Sequence, residues 1–207
     1  MAPRLADHLN AARQQRFVGR TAELALFESA LAVPVLPFAV LYLFGPGGVG
    51  KTMLLTEFAV RCTSASIPLC HLDARDVEPT PDAFMTALRQ ILGLAPLDSP
   101  IQALGMRGQR QVLLVDTYEQ FAPIDGWLRE AVLPQLPTDI LVVLAGREPP
   151  ALAWRTDPGW RSLVRTLPLR NLNPAESRSY LTACKVSADQ HPAVLAFTHG
   201  HPLALFE

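Results

Sequence analysis

Continuous apolar blocks alternate along the chain with one-sided apolar patterns, and that alternation predicts its elements. Five blocks read as strands: residues 38–44, 67–72 with Asp73 behind them, 111–116, 140–145 and 164–169. Apolar runs this unbroken suit parallel strands covered on both faces. Between them lie helical patterns. Thr21 is the expected N-cap of the first, with Glu23 in its first turn and Leu24, Phe27 and Leu31 on one side, and Pro34 and Pro37 end it. Further helices are expected over residues 51–63, 82–92 and 127–135, with a short one ending near Met106 and an amphipathic one over residues 5–15. After Leu169 the pattern turns to helices alone, over residues 174–184, 188–199 and from Pro202 onward, with Asn173 as a cap ahead of Pro174.

Strands alternating with helices imply a three-layer α/β/α domain around a parallel five-stranded sheet. We expect this domain over residues 1–170, with 1–16 as a helical extension, and a partial all-helical lid over 171–207. Such sheets place ligands beyond the carboxyl ends of their strands. The residues that follow each strand are therefore where chemistry is sought.

Behind the first strand stands Gly45-Pro46-Gly47-Gly48-Val49-Gly50-Lys51-Thr52, which fits the phosphate-loop pattern GxxxxGK[ST] at every fixed position, between a strand and a helix as the pattern requires. Glycines let successive N–H groups turn inward around phosphate oxygens. Lys51 would reach the terminal phosphates, Thr52 would give its hydroxyl to Mg²⁺, and the following helix, headed by Lys51, Thr52 and Met53, would add its N-terminal partial charge. Asp116 ends the third strand, where an acid orients Mg²⁺ in such proteins. Glu119 has two readings: it orients the attacking water, or it caps or salt-bridges the helix that follows it. Arg147 follows the fourth strand and either senses a γ-phosphate, which a guanidinium matches bidentately, or forms a surface ion pair with Glu148 or a nearby carboxylate.

The remaining composition narrows the classes. Eighteen basic and nineteen acidic residues leave a net charge of −1, so no field built for DNA or anionic lipid is expected, and nucleic-acid binding through this segment is disfavoured. Cys62, Cys70 and Cys184 have no metal-ligand spacing and suit a reducing cytoplasm. No signal-peptide core and no membrane span is apparent. Arg155, Arg161, Arg165 and Arg170 read as solvated surface, Trp154 and Trp160 as packing residues, and His199 and His201 as turn residues around Gly200.

Five features in order resemble the STAND group of P-loop NTPases, which is related to AAA+ proteins and has NB-ARC-like members. They are Phe17-Val18-Gly19-Arg20, the phosphate loop, Leu113-Leu114-Val115-Asp116 with Glu119 behind it, Leu144-Ala145-Gly146-Arg147, and Gly200-His201-Pro202-Leu203-Ala204-Leu205. The resemblance implies an ATP/ADP-binding regulatory switch with slow Mg²⁺-dependent hydrolysis. It places Val18 and Gly19, with Arg20 beside them, near the adenine and Pro202 against the nucleotide from the lid. It also implies winged-helix and sensor parts beyond the lid, so that this chain is expected to be a truncated portion, and a nucleotide-dependent homo-oligomer. Thr117 departs from AAA+ motors, which carry Glu directly after the strand-end Asp.

Overall fold

The computed structural model describes residues 17–206; the helix expected over residues 5–15 lies outside them. In chain order the elements are α1 (Thr21–Ala32), β1 (Val40–Phe44), α2 (Lys51–Ser64), β2 (Leu69–Asp73), α3 (Pro81–Leu92), α4 (Pro100–Gly105) and β3 (Gln111–Asp116). A helical stretch over residues 118–135 leads to β4 (Ile140–Gly146), α5 (Leu152–Thr156), α6 (Pro158–Leu163) and β5 (Val164–Pro168). Three helices follow: α7 (Pro174–Ala183), α8 (His191–Thr198) and α9 (Pro202–Phe206).

All five strands are parallel, in the order β2-β3-β4-β1-β5. The chain leaves β1, passes over two strands to β2, steps back through β3 and β4, and then crosses β1 to reach β5. Strand order thus reverses around β1, and a crevice opens there at the carboxyl ends.

Side chains alternate across the sheet because the strand period is two. Leu41 and Leu43 point to the layer of α1 and α2, where Phe27, Leu54, Leu55 and Phe58 are buried with them. Val40 and Tyr42 share the opposite layer with Phe84, Leu88, Phe121 and Trp154. Phe27 and Phe58 stack with centroids 3.9 Å apart and lock α1 to α2; truncating such a buried ring costs about 3–5 kcal/mol. A third, smaller cluster of Leu172, Leu181 and Leu205 joins α7 and α9 to the strand exit.

Several local expectations change. Thr21 is the first helical residue and not the cap; the cap position belongs to Arg20 in a left-handed conformation, without a side-chain cap bond. The helix expected over 127–135 is the end of a longer irregular stretch that passes from 3-10 (Tyr118–Ile124) through one α turn to a π turn (Leu128–Val132) and back to 3-10 (Leu133–Gln135). Pro123 and Pro134 withdraw N–H donors from the regular ladder. The two short helices α5 and α6 have no apolar periodicity long enough to announce them. Among the described residues β5 is an edge strand paired with β1 alone, and Arg165 and Thr166 are exposed.

Cys62 and Cys70 are buried and free, and burial pushes the Cys62 thiol up to about 11. Trp154 is fully buried and donates from Nε1 to Asp125, which also accepts from Tyr118. Among the described residues no helix is long and apolar enough to cross a membrane.

Candidate phosphate-binding site

The segment from Gly45 to Gly50 turns sharply between β1 and α2 because its backbone adopts conformations that side chains resist. Gly48 has φ of 75°, and a Cβ there would lie 2.8 Å from both His201 and Leu203. Pro46, Gly47 and Gly48 are exposed, whereas Val49 is buried beneath them and anchors the loop to the α1–α2 layer. Gly45 donates to the Gly146 carbonyl at 3.3 Å and Leu169 donates to the Phe44 carbonyl at 2.7 Å, so the exits of β1, β4 and β5 are tied together.

Lys51 is buried at the centre of the loop, its ammonium donating to the carbonyls of Gly45 at 2.6 Å and Pro46 at 2.9 Å. Burial lowers its pKa; nearby Glu119 opposes that shift, Arg147 adds to it and Asp116 opposes it. These three side chains therefore share one electrostatic neighbourhood with the lysine. Met53, half-buried in the first turn of α2, lies beside them in sequence.

The Thr52 hydroxyl donates to Asp116 Oδ2 at 2.7 Å. Asp116 is buried at the end of β3, and its other oxygen accepts from the Thr117 N–H at 2.8 Å. Thr117 has φ of 55°, a left-handed conformation that a β-branched residue rarely adopts. The backbone bond to Asp116 helps hold it there. A hydroxyl and a carboxylate oxygen side by side next to a phosphate loop form a hard-oxygen set that suits Mg²⁺, with its remaining positions left to phosphate oxygens and water. No group of three or more His, Cys, Asp or Glu residues that could hold a metal occurs among the described residues.

Glu119 and Arg147 form a two-point pair. Glu119 Oε2 accepts from the Arg147 backbone N–H at 3.1 Å, and Oε1 lies 3.0 Å from Arg147 Nε. The carboxylate is 21% exposed and the guanidinium 67%. The ion pair expected of Arg147 with a nearby carboxylate is thus present, with Glu119 and not with Glu148, whereas Glu119 pairs across to the β4 exit and not with the helix that follows it.

Two charged residues of the same edge, Asp73 and Arg75, were given no chemical role from the sequence. Asp73 ends β2 in register with Asp116, and it holds Arg75 through contacts of 2.5–3.1 Å. Hydrogen bonding to Arg75 lowers the Asp73 pKa. The rule that ligands gather at strand ends was the available signal, since Asp73 stands directly behind the second apolar block.

Arg20 is buried and its guanidinium donates to the carbonyls of Val49 at 2.8 Å and Arg170 at 2.6 Å, while pairing with Glu23 at 3.3 Å. Its N–H donates to Glu176 Oε1 at 3.1 Å. Glu176 also accepts from the Asn173 N–H, and Asn173 accepts from the N–H of Glu176, which makes a capping box at the start of α7. Val18 and Gly19 are half-buried just before Arg20, and a Cβ on Gly19 would lie 2.6 Å from Glu176 Oε1.

The C-terminal helices return to the loop. Gly200 has φ of 73°, and a Cβ there would lie 2.2 Å from the Leu172 carbonyl. Its own carbonyl accepts from the Leu172 N–H at 2.9 Å. This close turn places His201 Nε2 at 3.0 Å from the Gly47 carbonyl. His199, at φ of 50°, is the turn residue expected. Pro202 opens α9 beside His201 and is half-buried.

Neither a protein-family model nor a curated protein matches the sequence. Solved structures do share its fold. A structure of Drosophila ORC bound to DNA superposes with a TM-score of 0.68 at 18% identity, covering 97% of this chain and 61% of that one. The Aeropyrum pernix ORC1 protein in complex with DNA gives 0.60 at 17% identity, covering 93% and 61%. Cdc6p from Pyrobaculum aerophilum gives 0.57 at 18%, covering 88% and 50%. The five-stranded α/β fold is shared with these proteins. The chain spans 50–61% of the length of these three proteins.

Proposed function

We propose that this chain is an ATP/ADP-binding switch module with slow Mg²⁺-dependent ATP hydrolysis, part of a larger signal-transduction ATPase of the STAND type. One observation carries the proposal: Lys51 at the centre of the loop, Thr52 on Asp116 at 2.7 Å, and His201 from the helices beyond residue 170 on the loop carbonyl of Gly47. A site contacted from both the sheet edge and a helical lid can couple nucleotide state to lid position, because a ligand shifts an equilibrium by its differential affinity for the two states.

In this proposal Lys51 and the N–H groups of Gly47, Gly48, Val49 and Gly50 stabilise phosphate charge. Thr52 and Asp116 hold Mg²⁺, which neutralises phosphate oxygens. Glu119 orients water and Arg147 meets the γ-phosphate. Val18, Gly19, Arg20 and Met53 border the nucleoside, and Pro202 closes on it from the lid. A cytoplasmic location and nucleotide-dependent self-association belong to the same proposal. Titration calorimetry with ADP tests it: Lys51→Ala is expected to lose affinity, and unchanged affinity would overturn the assignment of the loop.

A second function, an AAA+ ATPase acting on nucleic acid, draws support from the DNA complexes among the structures of this fold. The net charge of −1 does not decide against it, because Arg155, Arg161, Arg165 and Arg170 are all exposed within one stretch of chain. DNA-stimulated ATP turnover would favour it over the switch. A third, a nucleotide-bound scaffold, would leave ATP intact over long incubation.

A further inference from the structure

Glu119 and Arg147 have each been given a separate task in ATP chemistry, yet each is the other's partner. Glu119 comes from the turn after β3 and Arg147 from the turn after β4, and Gly146 between them is buried. The pair uses both carboxylate oxygens, one on the Arg147 N–H at 3.1 Å and one on Nε at 3.0 Å. Gly45 at the start of the loop donates to the Gly146 carbonyl at 3.3 Å, and a Cβ on Gly146 would lie 3.4 Å from Glu119 Oε2, so the pair stands beside the phosphate loop.

We propose that Glu119 is a specificity-determining residue for triphosphate over diphosphate, acting as the resident competitor for Arg147. This rests on the nucleotide site proposed above. A guanidinium engaged by a carboxylate is unavailable to a phosphate, and a carboxylate engaged by a guanidinium is a poor acceptor for a water proton. The pair therefore switches off both functions together.

A γ-phosphate carries more negative charge than a carboxylate and offers three acceptor oxygens to a planar donor fork. It can displace Glu119 from Arg147, and the displacement frees the carboxylate for water. ADP lacks that group and leaves the pair closed. The site then charges ATP, and not ADP, the free energy of breaking one half-exposed ion pair. A pair of that exposure shifts an affinity by roughly three- to fivefold.

The test is equilibrium binding of ADP and of a non-hydrolysable ATP analogue to the full chain and to E119Q, R147A and the double variant. Gln keeps the size of Glu and accepts from the Arg147 N–H while removing the competing charge. E119Q is expected to tighten the analogue about three- to fivefold more than it tightens ADP, raising the affinity ratio. R147A is expected to erase that gain in the double variant, because the effect of Glu119 runs through Arg147. An unchanged ratio in E119Q, or an equal change with and without Arg147, overturns the proposal. The underlying site is controlled separately: if the unaltered chain binds ADP and K51A does not, the site stands whatever E119Q does. If the unaltered chain binds neither nucleotide, both proposals fall.

Discussion

His201 and Gly47 lie 154 positions apart in sequence and are joined by a hydrogen bond of 3.0 Å from the imidazole Nε2 to the loop carbonyl. A carbonyl only accepts, so the ring nitrogen is the donor. The other ring nitrogen, Nδ1, faces the Ala204 N–H at 3.5 Å, which suits the neutral tautomer. With Leu203 packed against Gly48, this bond is the direct polar link from the last helix to the phosphate loop.

His201→Ala is therefore expected to loosen the C-terminal helices without unfolding the sheet. Losing one such bond costs about 0.5–1.5 kcal/mol, or roughly three- to tenfold in the docking equilibrium. Faster limited proteolysis at the exposed connection around Arg170 and Asn171 would register it, with a parallel fall in ADP affinity. Cleavage at the unaltered rate would show that docking does not depend on this bond.

Arg20→Ala would leave the carbonyls of Val49 and Arg170 without their donor. The buried Val49 carbonyl left unpaired costs about 1–3 kcal/mol and the bond to the more exposed Arg170 carbonyl about 0.5–1.5 kcal/mol, so a total loss of about 2–4 kcal/mol is expected in denaturant unfolding. Lysine cannot span both acceptors with a planar fork, and Arg20→Lys should recover less than half of that. Full recovery by lysine would mean that charge alone, and not fork geometry, is what the position requires.

Asp116→Asn removes the charge, keeps one acceptor oxygen for the Thr117 N–H, and turns its amide NH₂ to the Thr52 hydroxyl, which then accepts. Stability is expected to change by less than about 1 kcal/mol, since the hydrogen bond survives. Turnover of ATP should fall about 100-fold or more, and the affinity gained from added Mg²⁺ should shrink. Colorimetric phosphate release and calorimetry with and without EDTA measure the two effects.

Lys51 titrates below the ordinary lysine value because its ammonium is buried. A base with a lowered folded pKa binds fewer protons folded than unfolded in the interval between the two values. Stability of the nucleotide-free chain consequently rises with pH through that interval, and the penalty is present in full below it. Lys51→Met removes that penalty together with the donor to the Gly45 and Pro46 carbonyls, and is expected to flatten the pH dependence of Tm below 10.5 and to abolish nucleotide binding. Parallel Tm curves for the two proteins would contradict the burial account.

The strands and the loop were legible because each depends on residues close in sequence. A parallel strand covered on both faces needs an apolar run, and β3 and β4 are such runs, buried at every position. The glycines and Lys51 define a local backbone shape with few other sequences able to adopt it. α7 was legible for the same reason, since its capping box lies within four residues. Of the stretch over residues 118–135 the sequence announced the part from Trp127 and not the start, because Pro123 and a left-handed Thr117 break its period and buried Tyr118, Phe121 and Ile124 hold it by packing. α5 and α6 are too short for any period.

Sequence by itself determined the five-stranded α/β architecture, the identity of Lys51, Thr52 and Asp116 as the candidate centre, and the change to helices after residue 170. Tertiary structure alone decided the partners: Arg147 with Glu119, Arg75 with Asp73, Arg20 with Val49 and Arg170, and His201 with Gly47. Local conformation follows from short-range sterics and apolar periodicity, which a sequence displays. Which charge meets which depends on the strand order that brings the ends of β1, β3 and β4 to one crevice, and on the turn at Gly200 that returns the chain to the loop where it began.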